Sequence, residues 1–332
     1  MTVAEMIAAR DAFGKALVEL GDANDRVVVL DADLASSTKA SMFAAAHPER
    51  FFQIGIAEQN MTSIAAGMAS MGLIPFTSTF ACFASKRATD QVRIGIAQPR
   101  MNVKITGAYS GLLAGKTGKT HQSVQDIAIF RSMPEMVVLV PGDGVEVEKA
   151  VWAAAAYDGP VYLRLTRDPS PVLFDAGYEF RIGKAVVLRE GSDVTVVTTG
   201  VMAARAAEAA NTLSEEGLSV HILHVPTVKP LDVDAVLEAA ARTGLVVTAE
   251  EHSIIGGLGG AVAEYLSEVL PTPLKRIGVR DQFGDAGTFE WLIQKYGMDV
   301  PLIVAAAMHV ISMKISSQGG PRNESSGTAS SR

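Results

Sequence analysis

One carboxylate, Glu58, sits where an apolar run gives way to helical spacing, in the stretch Phe51–Met61 (FFQIGIAEQNM). Phe51, Phe52 and Ile54 read as a short strand, while Met61, Ile64, Ala65, Met68 and Met71 recur on one helical face. Glu58 therefore falls in a first helical turn, beside backbone N–H groups with no partner inside the helix, where the dipole favours negative charge. Helix starts at strand ends are common ligand positions in α/β proteins, so this carboxylate is a candidate for binding or proton transfer. On this stretch alone, an acidic residue that stabilises its own helix is the plainer account.

Other residues invite chemistry more weakly. His121, in Thr120-His121-Gln122, is a loop histidine on the C-terminal side of an expected strand, suited to acid/base work and equally to an ordinary polar loop. Arg10, Ser37 and Arg167 fall at a helix start or in loops after strands and would suit an anionic ligand. Phe80, Cys82 and Phe83, taken by themselves, read as core. Three glycine motifs suggest phosphate binding but lack its pattern. GGLGG at 256–260 opens a helix without the G-x-G-x-x-G register, so a tight strand–helix turn is expected. Gly142-Asp143-Gly144 begins like a magnesium–diphosphate motif, yet Leu165, Thr166 and Arg167 stand where asparagine is needed. GKTGK at 115–119 lacks the spacing of a P-loop.

The elements that must position these residues alternate. Apolar runs at 27–30, 51–55, 74–79, 101–107, 135–140 and 160–165 are separated by helical patterns, which predicts a mainly parallel sheet covered on both faces. Residues 169–182 carry little periodicity and read as a linker between a domain at 1–168 and one at 183–314. Runs at 194–200, 218–225 and 245–251 supply the second sheet, with helices at 202–216 and 232–241. The expected fold class is α/β, two three-layer domains. The Ser/Gly/Asn-rich stretch 315–332 is expected to be disordered and is set apart from function.

A length of 332 residues favours two domains. The net charge of −7 argues against a nucleic-acid footprint. No run of 18 apolar residues occurs, so no membrane-spanning helix is expected. Charged residues among the first 15 positions leave no signal core, and a cytoplasmic location is expected. The single cysteine, Cys82, excludes an intrachain disulfide.

Taken together, the chain resembles the C-terminal half of a transketolase. DADLASS (31–37), GIAEQN (55–60), TFACFASKRATDQV (79–92) and GKTHQSVQDIAIFRSMPEMVVLVPGDGVE (118–146) carry the resemblance to the family's pyrimidine-binding domain over 5–170, with a looser match to its C-terminal domain over 183–312. The resemblance implies thiamine diphosphate as cofactor and transfer of a two-carbon ketol unit. It implies that Glu58 hydrogen-bonds N1′ of the aminopyrimidine, favouring the 4′-imino tautomer that removes the C2 proton. By the same resemblance Phe83 stacks on the pyrimidine, Phe80 forms a second wall, and Asp33 and Leu34 approach the thiazolium. His121 lies near the reacting carbon, and Arg10, Ser37 and Arg167 grip a phosphate or sulfonate.

Three positions depart from the family. Tyr109 stands where a second substrate-holding histidine is usual, Thr117 replaces an aspartate that reads the C2 hydroxyl, and Lys86 replaces a tyrosine. The implied substrates therefore differ from the standard pentose-phosphate pair. The resemblance also implies a split enzyme in which a separate diphosphate-binding subunit carries the Mg2+ ligands, with two copies of each subunit. The β-subunit of a 2-oxo acid dehydrogenase E1 component, or a non-catalytic homologue, are the alternatives. THQ with FRSMP and the anion-binding residues favour transketolase.

Overall fold

The structure, a computed structural model, describes residues 5–318. Strands are β1 (Met6–Ala8), β2 (Val27–Asp31), β3 (Phe51–Gln53), β4 (Ile74–Phe80), β5 (Lys104–Ala108), β6 (Val137–Leu139), β7 (Val161–Arg164), β8 (Pro169–Pro171), β9 (Val186–Arg189), β10 (Val194–Thr198), β11 (Val220–His224), β12 (Thr227–Lys229), β13 (Val246–Ser253) and β14 (Leu274–Val279).

The first sheet runs β12–β6–β7–β5–β4–β2–β3, all parallel except β12. Every residue of β2, β4 and β5 is buried, as a sheet covered on both faces requires. On one face Phe13, Leu17 and Phe43 join Val147 and Val151 over Val29, Phe76 and Leu163. On the other, Met61, Ala65, Ile96 and Phe130 cover Val28, Leu30 and Ile105. The second sheet, β14–β13–β10–β11–β9, is parallel except for β9. Helices Met202–Glu215 and Val300–Gln318 cover one side, and Val233–Thr243 and Leu258–Val269 the other. Both domains have the three layers expected.

The boundary between them is less clean than the sequence suggested. β12 comes from the second half of the chain, yet it pairs antiparallel with β6 and forms one edge of the first sheet. The segment 169–182 does join the domains, but it is a packed strap. β8 pairs antiparallel with β1, the N–H groups of Leu173 and Phe174 donate to Asp143 Oδ2 at 2.6 and 3.0 Å, and Phe174 stacks on Tyr178 at 4.1 Å.

At the C-terminal end two features differ from expectation. The last helix extends to Gln318, so residues 315–318 are helical, and 319–332 lie outside the described residues. Residues 289–313 are also long and apolar enough to cross a membrane by composition. The physical reason is a core role: the stretch breaks at Gly297, and Leu292, Ile293, Ile303, Ala307 and Val310 are buried against the second sheet.

Candidate functional site

The C-terminal ends of adjacent parallel strands form one rim, the usual ligand edge of an open α/β sheet. Asp33 and Leu34 follow β2, Glu58 follows β3, Phe80 and Phe83 lie at and after the end of β4, Tyr109 and His121 follow β5, and Arg167 follows β7. Arg10 reaches the same rim from the start of helix Ala9–Ala23. Two of these residues, Asp33 (φ 64) and Tyr109 (φ 54), hold left-handed backbone conformations that cost L-residues free energy and that concentrate where function fixes the chain.

Glu58 is the first residue of helix Glu58–Ser70, and its carboxylate is 4% exposed. Its Oε1 accepts a hydrogen bond from Arg87 Nη1 at 2.9 Å, and the Arg87 guanidinium carbon lies 4.1 Å from the centre of the Phe83 ring. Phe83 stacks on Phe80 at 5.9 Å, and Phe80 on Tyr109 at 4.2 Å. His121 meets Phe83 and Phe80 edge-on at 5.4 and 6.1 Å, and its Nδ1 is 2.9 Å from Thr120 Oγ1. Leu34 packs against this aromatic cluster. Asp33 is held by its backbone, its N–H donating to Gln53 Oε1 at 2.8 Å, while its side chain is exposed. Beneath it, burial raises the pKa of Asp31, whose Oδ1 accepts from the Leu34 N–H at 2.7 Å.

At the other end of the aromatic run, Arg10 Nη1 donates to Tyr109 Oη at 2.8 Å and to the Ser37 carbonyl at 3.3 Å. The guanidinium carbons of Arg10 and Arg167 lie 5.7 and 5.4 Å from the Tyr109 ring centre. The Nε atoms of both arginines are buried with no hydrogen-bond partner among the described residues, so donors remain for an anion. Ser37 thus contributes its carbonyl to Arg10.

All the predicted site residues come together on this rim. Arg87 was missed. It lies in a run of charge beside Lys86, and the signal for it was its place four residues after Phe83 on one helical face. The departures differ in reach. Thr117 Oγ1 caps its own turn on the Ala114 carbonyl at 2.8 Å, and Lys86 is exposed. Burial pushes the Cys82 thiol up to about 11, which makes it a core residue and not a nucleophile.

Two of the glycine motifs serve the fold. The N–H groups of Leu258 and Gly259, in the GGLGG turn, donate to the buried Glu250 carboxyl group at 2.7 and 2.8 Å, so the chain's own side chain fills that cradle. Asp143 caps helix Gly144–Ala156 by accepting the Glu146 N–H at 2.7 Å, in addition to holding the strap. Among the described residues, no group of three or more His, Cys, Asp or Glu is arranged to hold a metal.

A buried carboxylate beside a flat aromatic face, with arginines some distance along the same rim, is a donor set for a heteroaromatic base and an anion together, carried by a two-domain α/β protein. Residues 5–171 match the family model for the transketolase pyrimidine-binding domain, and residues 183–303 that for the transketolase C-terminal domain. The chain belongs to the transketolase family.

It is 45% identical over 305 residues to the 6-deoxy-6-sulfo-D-fructose transketolase subunit SqwH of Clostridium sp. (strain MSTE9), covering 92% of this chain and 95% of that one. It is 36% identical over 307 residues to a subunit of the apulose-4-phosphate transketolase of Phocaeicola vulgatus, covering 92% and 98%. Among solved structures, a split-gene transketolase described as an inactive beta4 tetramer superposes with a TM-score of 0.86 at 47% identity, covering 93% of this chain and 100% of that one. The family and the fold are those the four motifs pointed to. The family implies dependence on thiamine diphosphate and a transferase role.

Proposed function

We propose that this chain is the pyrimidine-binding subunit of a split transketolase and transfers a two-carbon ketol unit between anionic sugars. Its partner would be a separate diphosphate-binding subunit that carries the Mg2+ ligands, in an α2β2 assembly. The observation that carries the reading is one unbroken run of contacts. It leads from Glu58 by way of the Arg87 guanidinium to Phe83, then through Phe80 and Tyr109 to Arg10, with His121 edge-on above it. A base-binding end and an anion-binding end are thereby joined by aromatic walls. The near-complete overlap with relatives named as transketolase subunits supports the separate partner.

When bound, thiamine diphosphate supplies a carbon nucleophile and an electron sink. Glu58 would hold N1′ through a shared proton, and its burial strengthens that hydrogen bond. Phe83 and Phe80 would fix the plane of the pyrimidine, and Asp33 and Leu34 would border the thiazolium end. His121 would give or take a proton at a sugar oxygen. Arg10 and Arg167 would hold the terminal oxyanion, with Ser37 anchoring Arg10. Both phosphate and sulfonate suit these donors, and the relatives' names include one of each.

The test is Glu58→Gln in the complex reconstituted with the diphosphate-binding subunit. Ketol transfer should fall on the order of a hundredfold or more while the circular dichroism melt is retained. Full turnover by that variant would overturn the reading.

A further inference from the structure

Arg87 is a charged group on the aromatic rim to which the proposed mechanism gives no role. Its two contacts are informative. Nη1 donates to Glu58 Oε1 at 2.9 Å, and Cζ stands 4.1 Å from the Phe83 ring centre. These are the two interactions an aminopyrimidine would make there, a hydrogen bond to the carboxylate and a stack on the ring. A guanidinium can imitate that ligand because it is planar, carries N–H donors in its plane and stacks on aromatic faces. At this separation it fills the layer that a stacked ring would need, so the two exclude each other.

The burial of the partners shows which one can move. The Glu58 side chain is 4% exposed and the Arg87 side chain 49% exposed. Arg87 directly follows helix Ala81–Lys86, so rotation about its own side-chain bonds carries the guanidinium into solvent without moving backbone. Glu58 has no such exit. While in place, the guanidinium also pairs a carboxylate that would otherwise be buried without its charge partner.

We propose that Arg87 gates the pyrimidine half-site, occupying Glu58 and Phe83 as a stand-in for the aminopyrimidine, so that a ligand binds only after displacing it. The proposal rests on the reading of Glu58 and Phe83 as that half-site. The apparent affinity is the intrinsic affinity reduced by the fraction of time the guanidinium is away.

The test is direct binding to the full chain, with the free aminopyrimidine moiety of thiamine as probe, followed by calorimetry or ligand-observed NMR. Arg87→Ala should bind about tenfold more tightly than wild type, equivalent to ~1.4 kcal/mol. Arg87→Lys should fall between them, since an ammonium pairs with Glu58 but lacks a flat face. Phe83→Ala in the Arg87→Ala background serves as the control for the site and should abolish the gain. Equal or weaker binding by Arg87→Ala, or none, overturns the gate while leaving Glu58→Gln turnover to judge the site. Tight binding that ignores Phe83→Ala overturns the site reading and the gate with it.

Discussion

Tyr109→Phe isolates one hydroxyl at the centre of the proposed anion-binding end. The ring itself stays: it stacks on Phe80 at 4.2 Å and packs near both arginine guanidinium groups, and phenylalanine keeps these packings. What goes is the acceptor for Arg10 Nη1 at 2.8 Å, leaving that nitrogen only the longer 3.3 Å bond to the Ser37 carbonyl. Hydrogen bonds to charged groups contribute about 1.5–3 kcal/mol when well buried. Arg10 is only half-buried, so water takes up part of the loss and ~1 kcal/mol is the appropriate size.

If Arg10 meets the substrate's anion in the ground state and the transition state alike, that loss appears in KM, as a rise of about fivefold, with kcat held. The assay is steady-state ketol transfer by the reconstituted enzyme with two acceptors, a sugar phosphate and uncharged glycolaldehyde. KM should rise for the phosphate and hold for glycolaldehyde, which has no anion for Arg10 to grip. An equal rise for both acceptors would place Tyr109 in the general architecture of the site and refute its role as the arginine's anchor. No rise for either would refute the placing of Arg10 on the anion.

Two further predictions concern the buried charges behind the rim. Gly257→Ala has an unstrained backbone (φ −83), but its Cβ would lie 2.7 Å from both Glu250 Cδ and His252 Nδ1. It must push the carboxylate off its two N–H donors, and thermal melts should show a loss on the order of 3 kcal/mol, whereas an unchanged melting temperature would contradict the Glu250 cradle. His252 is held down to about 4 by burial, so the unfolded chain takes up a proton near pH 6.5 that the native state refuses. Its contribution is present above pH 6.5 and is lost as pH falls toward 4, on the order of 3 kcal/mol in all. Glu250, pushed up to about 7 by burial, titrates with the opposite sign, because its stabilising effect fades as pH rises from 4.5 to 7. The measurement is therefore the difference between wild type and His252→Gln in urea at pH 7 and pH 4.5, which should narrow at the lower pH; a constant difference would refute the assignment.

The rim was legible because its signals are local. A strand followed by a helical face places Glu58 in the first helical turn, where it stands, whereas Phe80 and Phe83 read as core by spacing and only the family resemblance drew them to the rim. The three-layer domains follow from continuous apolar runs such as VTVVT in β10. What escaped depends on partners far away in sequence. β12 has three residues and neighbours β11 along the chain, so nothing local says that it pairs with β6. The strap reads as irregular because its order comes from Asp143, some 30 residues earlier, and from β1. The acidic partner of the GGLGG turn is eight residues back, on the preceding strand, and spacing alone does not distinguish it from an external phosphate.

These long-range contacts also explain why the second domain matters to a site built wholly on the first. The loop that presents His121 spans 109–123 and is held from both sides. From the first domain, its Gly111 and Ser123 bridge antiparallel and Ser110 is tied to the Leu165 carbonyl at 2.9 Å. From the second, the Leu112 N–H donates to Glu251, Gln122 Nε2 donates to the Asp285 carbonyl at 2.9 Å, and the Gly287 N–H reaches the Gly115 carbonyl at 3.4 Å. Glu251 is fixed in turn by Arg164, which donates to its carbonyl at 2.9 Å while pairing with Asp126 at 2.8 Å, all of it buried. Removing one member of such a network leaves a buried charge without compensation, at a cost of about 3–5 kcal/mol. In the proposed catalytic role, the His121 imidazole would need to be held to within a fraction of an ångström, which a glycine-containing loop does not supply by itself. Among the described residues, the C-terminal domain contributes no side chain to the aromatic cluster. Its contribution is the set of hydrogen bonds to the backbone and side chains of the His121 loop.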